Sequence, residues 1–280
     1  MTERSPADAA GARIDAAAEA NFVLHMGWVQ ARTPGMRVEA DGHLTLIDSG
    51  LPCDTFNVVC AAHLPEESLR ERIGRAIGYF REARRPFAWW VGPADEPAGL
   101  GQALLDAGLV AAESETAMAA DLDDLPPADS ADLSPGGLRI ERARTPEGVR
   151  AFAAVIAANW TPPDPNVPRF YEAAMPLLLS GDCPLWLYVG YIGGEPVAAC
   201  EVTAGGGVAG LYNVCTLESH RRRGYAGVLV QRGLLDAREA GFRTAVLQAS
   251  QGGRNIYARI GFRATGTFTE YHPPADWRAG

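Results

Sequence analysis

Three arginines and a glycine, Arg221-Arg222-Arg223-Gly224, stand between an apolar run, Val208 to Cys215, and a stretch with helical periodicity, Tyr225 to Ala240. In that stretch Ala226, Val230, Leu234 and Ala237 recur at intervals of three and four, the spacing of one buried helix face. A strand that ends in an arginine-glycine loop and opens a helix is suited to hold an anion. The N–H groups of the loop and of the first helical turn point at the ligand, and the helix dipole favours negative charge there. Gly224 lets the backbone turn, while small Ala226 and Gly227 leave room beside a phosphate. The same arginines would also suit a solvated basic loop, so other residues have to decide. A second cluster lies downstream, Ser250-Gln251-Gly252-Gly253-Arg254-Asn255-Ile256-Tyr257-Ala258-Arg259-Ile260-Gly261-Phe262. Its Tyr257 is a phenol, protonated at neutral pH with an ordinary pKa near 10, and therefore a proton donor.

Together the two stretches resemble the GNAT superfamily of N-acetyltransferases. Arg221-Arg222-Arg223-Gly224-Tyr225-Ala226 matches its pyrophosphate loop, (Gln/Arg)-x-x-Gly-x-(Gly/Ala), and Tyr257 to Phe262 matches its Tyr-x-x-x-Gly-Phe element. The resemblance covers roughly residues 138 to 272. It implies acetyl-CoA as cosubstrate, with the pyrophosphate on Arg221, Arg222, Arg223, Gly224, Tyr225 and Ala226. The pantetheine arm would lie against the backbone of Val214, Cys215 and Thr216, where that strand splays from the next. One N–H there would face the developing oxyanion. Ser250 stands where many members have Asn and would touch the same arm. Tyr257 would be the general acid that protonates the leaving thiolate.

Acyl transfer to an amine also needs a proton acceptor. Glu201, on the strand beside the cofactor strand and on the face opposite Cys200 and Val202, is the first candidate. Glu218, His220, Glu270, His272 and a water chain remain open. Cys215 is not expected to carry the acyl group. The implied activity is acetyl transfer to a primary amine of a small molecule, by direct attack in a ternary complex. Two other readings are a non-catalytic acyl-CoA-binding or ligand-sequestering protein, and an acetyltransferase acting on protein N-termini. Trp160, Trp186, Tyr188 and Tyr191 are aromatic candidates for an acceptor pocket or for core.

The chain has 280 residues, enough for two domains, and 47% of them are apolar, ample for globular cores. No apolar run approaches the roughly 18 residues that would span a membrane. Asp8, Asp15 and Glu19 interrupt the Ala-rich start, so no signal peptide is expected and the location is expected to be cytoplasmic. Five cysteines without metal-ligand spacing predict buried free thiols and no metal. The net charge is −9, distributed as −12 up to Gly136 and +3 from Gly137 onward. An acidic protein is a poor nucleic-acid binder, and its basic half carries the arginine loop.

The acidic, Pro-rich run from Asp121 through Pro127 to Gly137 reads as a linker. The expected domains are 1–122, a linker at 123–137, and 138–280. Each half reads as an early helix, a hairpin, a buried strand, a long helix, a strand, a short helix closed by Gly, and a final strand. Gly108-Leu109 falls where Gly261-Phe262 falls. The expected fold is therefore α/β (α+β), with two tandem GNAT-like domains. Each would have its own mixed, mostly antiparallel sheet flanked by helices, and the second would carry the splayed strand pair. In the first half the loop after Cys60, Ala61-Ala62-His63-Leu64-Pro65-Glu66-Glu67, is acidic where the second is basic, which predicts a degenerate copy that binds no CoA.

Overall fold

The computed structural model describes residues 6–112, 114–125, 135–275 and 277; the central part of the expected linker, 126–134, lies outside them. The first elements are α1 (Pro6–Gly27), β1 (Arg37–Ala40), β2 (Thr45–Asp48), β3 (Val58–Cys60), α2 (Leu69–Glu82), β4 (Ala88–Val91), α3 (Leu100–Asp106), β5 (Val110–Ala111) and β6 (Glu115–Asp121). They are followed by β7 (Arg139–Arg142), α4 (Pro146–Ala157), α5 (Asn166–Leu178), β8 (Leu185–Ile192), β9 (Glu195–Gly205) and β10 (Val208–Thr216). The last are α6 (Tyr225–Glu239), β11 (Thr244–Ala249), α7 (Arg254–Arg259) and β12 (Arg263–His272).

The expectation of two separate sheets is overturned. The strands join in one twelve-stranded sheet, in the order β1-β2-β3-β4-β12-β6-β11-β10-β9-β8-β7, with β5 pairing β12. The cause is the chain's last strand. β12 pairs antiparallel with β4 of the first half, Thr269 opposite Val91 and Tyr271 opposite Trp89. Periodicity marks a segment as a strand but carries no information on which strand it will lie beside. By contact the chain forms two compact units. One comprises Met1–Ala117, Ala249–Gln251 and Ala264–Gly280, the other Met118–Gln248 and Gly252–Arg263.

In the first unit α2 buries Ile73, Ala76, Ile77 and Phe80, and Phe80 stacks on Phe87 at 4.6 Å. The sequence predicts a two-residue turn at Asp41-Gly42, but β1 and β2 pair from Ala40 opposite Thr45, leaving four residues between them. The Asp41 carboxylate accepts the N–H groups of His43 and Leu44 at 2.9 and 3.1 Å, which stabilises the wider loop. In the second unit the sequence predicts a hairpin turn at Gly193-Gly194, and these residues, both with positive φ, make the two-residue connection between β8 and β9. Thr145 caps α4 by accepting the Gly148 N–H at 3.2 Å, with Pro146 in the first turn.

The helix that carries the arginine loop is set tightly on the sheet. A Cβ on Gly233 would meet Val202 Cγ2 at 2.7 Å, so only glycine allows α6 this close to β9. Val230, Leu234 and Ala237 are buried as expected, whereas Ala226, in the open first turn, is half-buried.

Among the described residues four helices stop in the same way. In α7 the Phe262 N–H reaches the Tyr257 carbonyl at 3.1 Å and the Gly261 N–H the Ala258 carbonyl at 3.2 Å, with Gly261 at φ +100°. This is a Schellman stop, and the Tyr257–Phe262 ring contact at 6.0 Å is the apolar pair that accompanies it. The same pair of bonds closes α3 at Gly108, α6 at Gly241 and α2 at Arg84, a non-glycine residue at φ +54°.

Candidate active site

The site begins where two parallel strands part. β10 and β11 pair from Ala209 opposite Ala245 to Leu211 opposite Leu247, and beyond Leu211 they share no ladder pair among the described residues. β10 nevertheless runs on to Thr216. On its other side, facing β9, the register shifts. Tyr212 lies opposite Glu201 and Cys215 opposite Ala199, so Asn213 and Val214 together face Cys200. This is a β-bulge, and Asn213 takes the left-handed conformation at φ +53°. The expected cofactor residues Val214, Cys215 and Thr216 thus lie at a bulge, on a stretch without a β11 ladder.

Glu201 sits beside that bulge with 1% of its surface exposed. Its Oε1 accepts from Thr203 Oγ1 at 2.9 Å, and its Oε2 accepts from Asn213 Nδ2 at 3.0 Å. Tyr171 on α5 is buried nearby, and burial, then the Glu201 charge, push its phenol well above the ordinary value. Burial also raises the Cys215 thiol, and a hydrogen bond with Asn159 and one with the Ala199 backbone only partly offset this. A thiol held protonated suits the expectation that Cys215 carries no acyl group. Thr216 Oγ1 is buried without a hydrogen-bond partner, while the Thr216 carbonyl accepts from Arg221 Nε at 3.1 Å. An orphaned hydroxyl at the end of this strand fits a polar ligand that supplies the missing partner.

The arginine loop follows. Arg221, Arg222, Arg223 and Gly224 are all exposed. Arg222 and Gly224 take positive φ, +64° and +84°, and Gly224 is the N-cap of α6. Arg223 Nη2 donates to the Ser219 carbonyl at 3.2 Å, which holds the loop on the short turn before it. The first N–H groups of any helix lack an intrahelical acceptor, so the amides of Tyr225, Ala226 and Gly227 are open to an anion. A Cβ at Gly224 or Gly227 would meet nothing within 4 Å, so there is free space above the backbone. The Tyr225 ring is buried.

The remaining predicted residues are placed as follows. Tyr257 lies half-buried on α7, held by the helix stop just described. Ser250 is exposed directly after β11. Glu218 is exposed, while Glu270 and His272 pair with each other at 3.4 Å on β12, in the first unit. The structure therefore gathers Glu201, Val214, Cys215, Thr216 and the arginine loop along β10. Asn213, Thr203 and Asn159 are the residues that sequence reasoning missed. Their one signal is a polar Asn in mid-run between Tyr212 and Val214, a residue type that tolerates the left-handed region.

In the first unit a side chain bridges the ends of two parallel strands. β3 and β4 are parallel and pair only to Val59 opposite Trp89. Asp95 then accepts the Ala62 N–H at 2.5 Å and the Gly92 N–H at 2.6 Å, joining the ends of the two strands. Burial raises this carboxyl to about 6, against the lowering effect of those two hydrogen bonds.

Among the described residues no group of three or more His, Cys, Asp and Glu could hold a metal ion, and no helix is long and apolar enough to cross a membrane. Residues 131–255 match the family model of the acetyltransferase (GNAT) domain. The chain resembles a GCN5-related N-acetyltransferase from Kribbella flavida with TM-score 0.68 at 18% identity, covering 95% of this chain and 96% of that one. The protein has a GNAT acetyltransferase fold. A GCN5-related N-acetyltransferase from Sphaerobacter thermophilus shares the GNAT fold at TM-score 0.59 and 17% identity, over 96% and 93% of the two chains. So does a tandem GNAT protein from the clavulanic acid biosynthesis pathway, at TM-score 0.53 and 15% identity over 97% of each chain. Comparison with curated protein sequences finds no match. Residues 131–255 are thus similar to an acetyltransferase domain, on a chain that shares the GNAT fold.

Proposed function

We propose that the protein transfers the acetyl group of acetyl-CoA to the primary amine of a small molecule, by direct attack in a ternary complex. The observation that carries this reading is the continuous path along β10. A bulged strand that has left its β11 partner runs straight into an arginine-glycine loop at the open end of α6. The loop amides and arginines take the pyrophosphate. The pantetheine arm lies along Val214 to Thr216, and a backbone N–H at the bulge polarises the thioester carbonyl. Water takes the ammonium proton, because Glu201 is enclosed and both of its oxygens already accept hydrogen bonds. As the amine nitrogen bonds to the acetyl carbon and the C–S bond breaks, the Tyr257 phenol gives its proton to the departing thiolate, and the second proton shed by the nitrogen returns to the phenolate through water.

The chain is read as two copies of one fold, 1–122 and 138–280 joined at 123–137, which share the single sheet. Only the second copy binds acetyl-CoA. Support for a degenerate first copy comes from Asp95, which fills its strand gap, and from the acidic loop after Cys60. Leu104 stands at the first copy's helix stop where Tyr257 stands in the second, and leucine offers no proton.

The experiment is incubation with acetyl-CoA and a panel of small primary amines, reading free thiol and the mass of the amine. Amine-dependent CoA release matched by a gain of one acetyl group per amine is expected. Acetyl-CoA binding without release for any amine, or release matched only by acetylated protein N-termini, would overturn the small-molecule reading.

A further inference from the structure

We infer that Asn213 is a positioning residue: with Thr203 it clamps Glu201 between β9 and β10, and the clamp holds the bulge that receives the thioester. This rests on the acetyl-transfer reading above. A carboxylate that is 99% enclosed needs hydrogen-bond donors, since an unpartnered buried charge is strongly unfavourable. Thr203, from its own strand, donates to one oxygen of Glu201 and Asn213, from the neighbouring strand, to the other. Asn213 meets two demands at once. It occupies φ +53°, where Asn is among the few residues besides glycine that sit comfortably, and its amide reaches Glu201 from there. Glycine would allow the bulge but bring no donor. Most other side chains would neither tolerate the backbone nor reach the carboxylate.

The consequence follows from the period of a strand. With the bulge, Asn213 and Val214 share one place opposite Cys200, and Cys215 then faces Ala199. Without it, every residue from Val214 onward would move by one place, and each side chain would turn to the other face. The Cys215 thiol, now 3.9 Å from the Val155 carbonyl, and the buried Thr216 hydroxyl would both be displaced. The backbone N–H groups offered to the thioester would change with them. Glu201 thus acts through Asn213 on the shape of β10 and does not itself touch the reacting atoms.

The test uses the full chain with acetyl-CoA as probe. Asn213→Gly keeps the left-handed backbone and deletes only the donor. Calorimetry is expected to show acetyl-CoA affinity falling by about tenfold or more, the strength of one hydrogen bond to a charged group. Hydrogen exchange of the amides at 214–216 is expected to quicken by about tenfold without any ligand present. Glu201→Gln is the conservative rescue. Its carbonyl accepts from Thr203, and its amide donates to Asn213 once that side chain turns over. Affinity is expected within about threefold of the parent. Thr203→Val, which removes a second donor at similar volume, should weaken binding in the same direction and serves if Asn213→Gly does not fold. Unchanged affinity and unchanged exchange in Asn213→Gly would overturn the clamp, as would a loss in Glu201→Gln equal to that in Asn213→Gly. If the parent itself binds no acetyl-CoA, the transfer reading fails, and the exchange measurement still decides the clamp.

Discussion

Replacing Gly224 by glutamate puts a carboxylate in the loop proposed to hold the pyrophosphate. The structure allows the effect to be separated from misfolding. A Cβ at Gly224 meets no atom within 4 Å, so the only cost in the free protein is a side chain at φ +84°. That cost is about 1–2 kcal/mol of stability and is the same for Gly224→Ala, which is therefore the reference. A carboxylate about 5 Å from one phosphate charge is repelled by about 3 kcal/mol at an effective dielectric of about 20. The site is exposed, and halving the figure for solvent leaves about 1.5 kcal/mol per charge, or about 3 kcal/mol for the two phosphates together. Relative to Gly224→Ala, the Gly224→Glu protein should bind acetyl-CoA about a hundredfold more weakly, and added salt should narrow the gap. Calorimetry on both variants, with melting curves to confirm equal folding, makes the comparison. Equal affinities in two folded variants would remove the loop from the role given to it.

Three further outcomes are expected. Tyr257→Phe keeps the ring contact with Phe262 and the helix stop but deletes the phenol; it should lower kcat by about tenfold or more with acetyl-CoA affinity unchanged, measured by steady-state kinetics and calorimetry. Arg84→Gly relieves a left-handed non-glycine residue at a helix stop, offset in part by the freer unfolded chain, and should stabilise the protein by about 0.5 kcal/mol in urea unfolding. Asp95 is raised from an ordinary carboxyl value to about 6, mainly by burial, so the folded state holds its proton more tightly than the unfolded chain. Its contribution to stability is fully present below about pH 4 and is lost as the pH rises through about 6, a change on the order of 2 kcal/mol. The stability difference between the parent and Asp95→Asn should therefore shift by about that amount between pH 4 and 7, in the direction that favours the parent at low pH. A flat difference would show that the carboxyl is not perturbed.

What the sequence makes legible is what local geometry determines. Tyr257, Gly261 and Phe262 are spaced by a helix stop whose two hydrogen bonds span six residues, so the motif can be read without knowing the fold. Thr145-Pro146 and Gly193-Gly194 are legible for the same reason. The arginine loop is legible because Gly224 must take a left-handed turn directly before a helix. Strand neighbours are another matter. Nothing in the apolar alternation of Thr265 to Tyr271 says that β12 will pair with Trp89 to Val91, far away in the chain, and the expectation of two sheets fails there. The bulge at Asn213 is hidden likewise, because a bulge is a relation between two strands, and only the out-of-place Asn hints at it. Glu201 looks like a free carboxylate in the sequence because Asn213, which donates to it beside Thr203, lies twelve positions on, across a register that periodicity does not fix.

Hydrogen exchange with and without saturating acetyl-CoA tests the central claim most directly, since it reports both how many sites there are and where. One equivalent should bind per chain, with slowed exchange at the amides of 214–216 and 222–227 and no change at 61–66 in the first unit. Protection at 61–66, or binding that leaves the β10 end and the arginine loop unprotected, would contradict it.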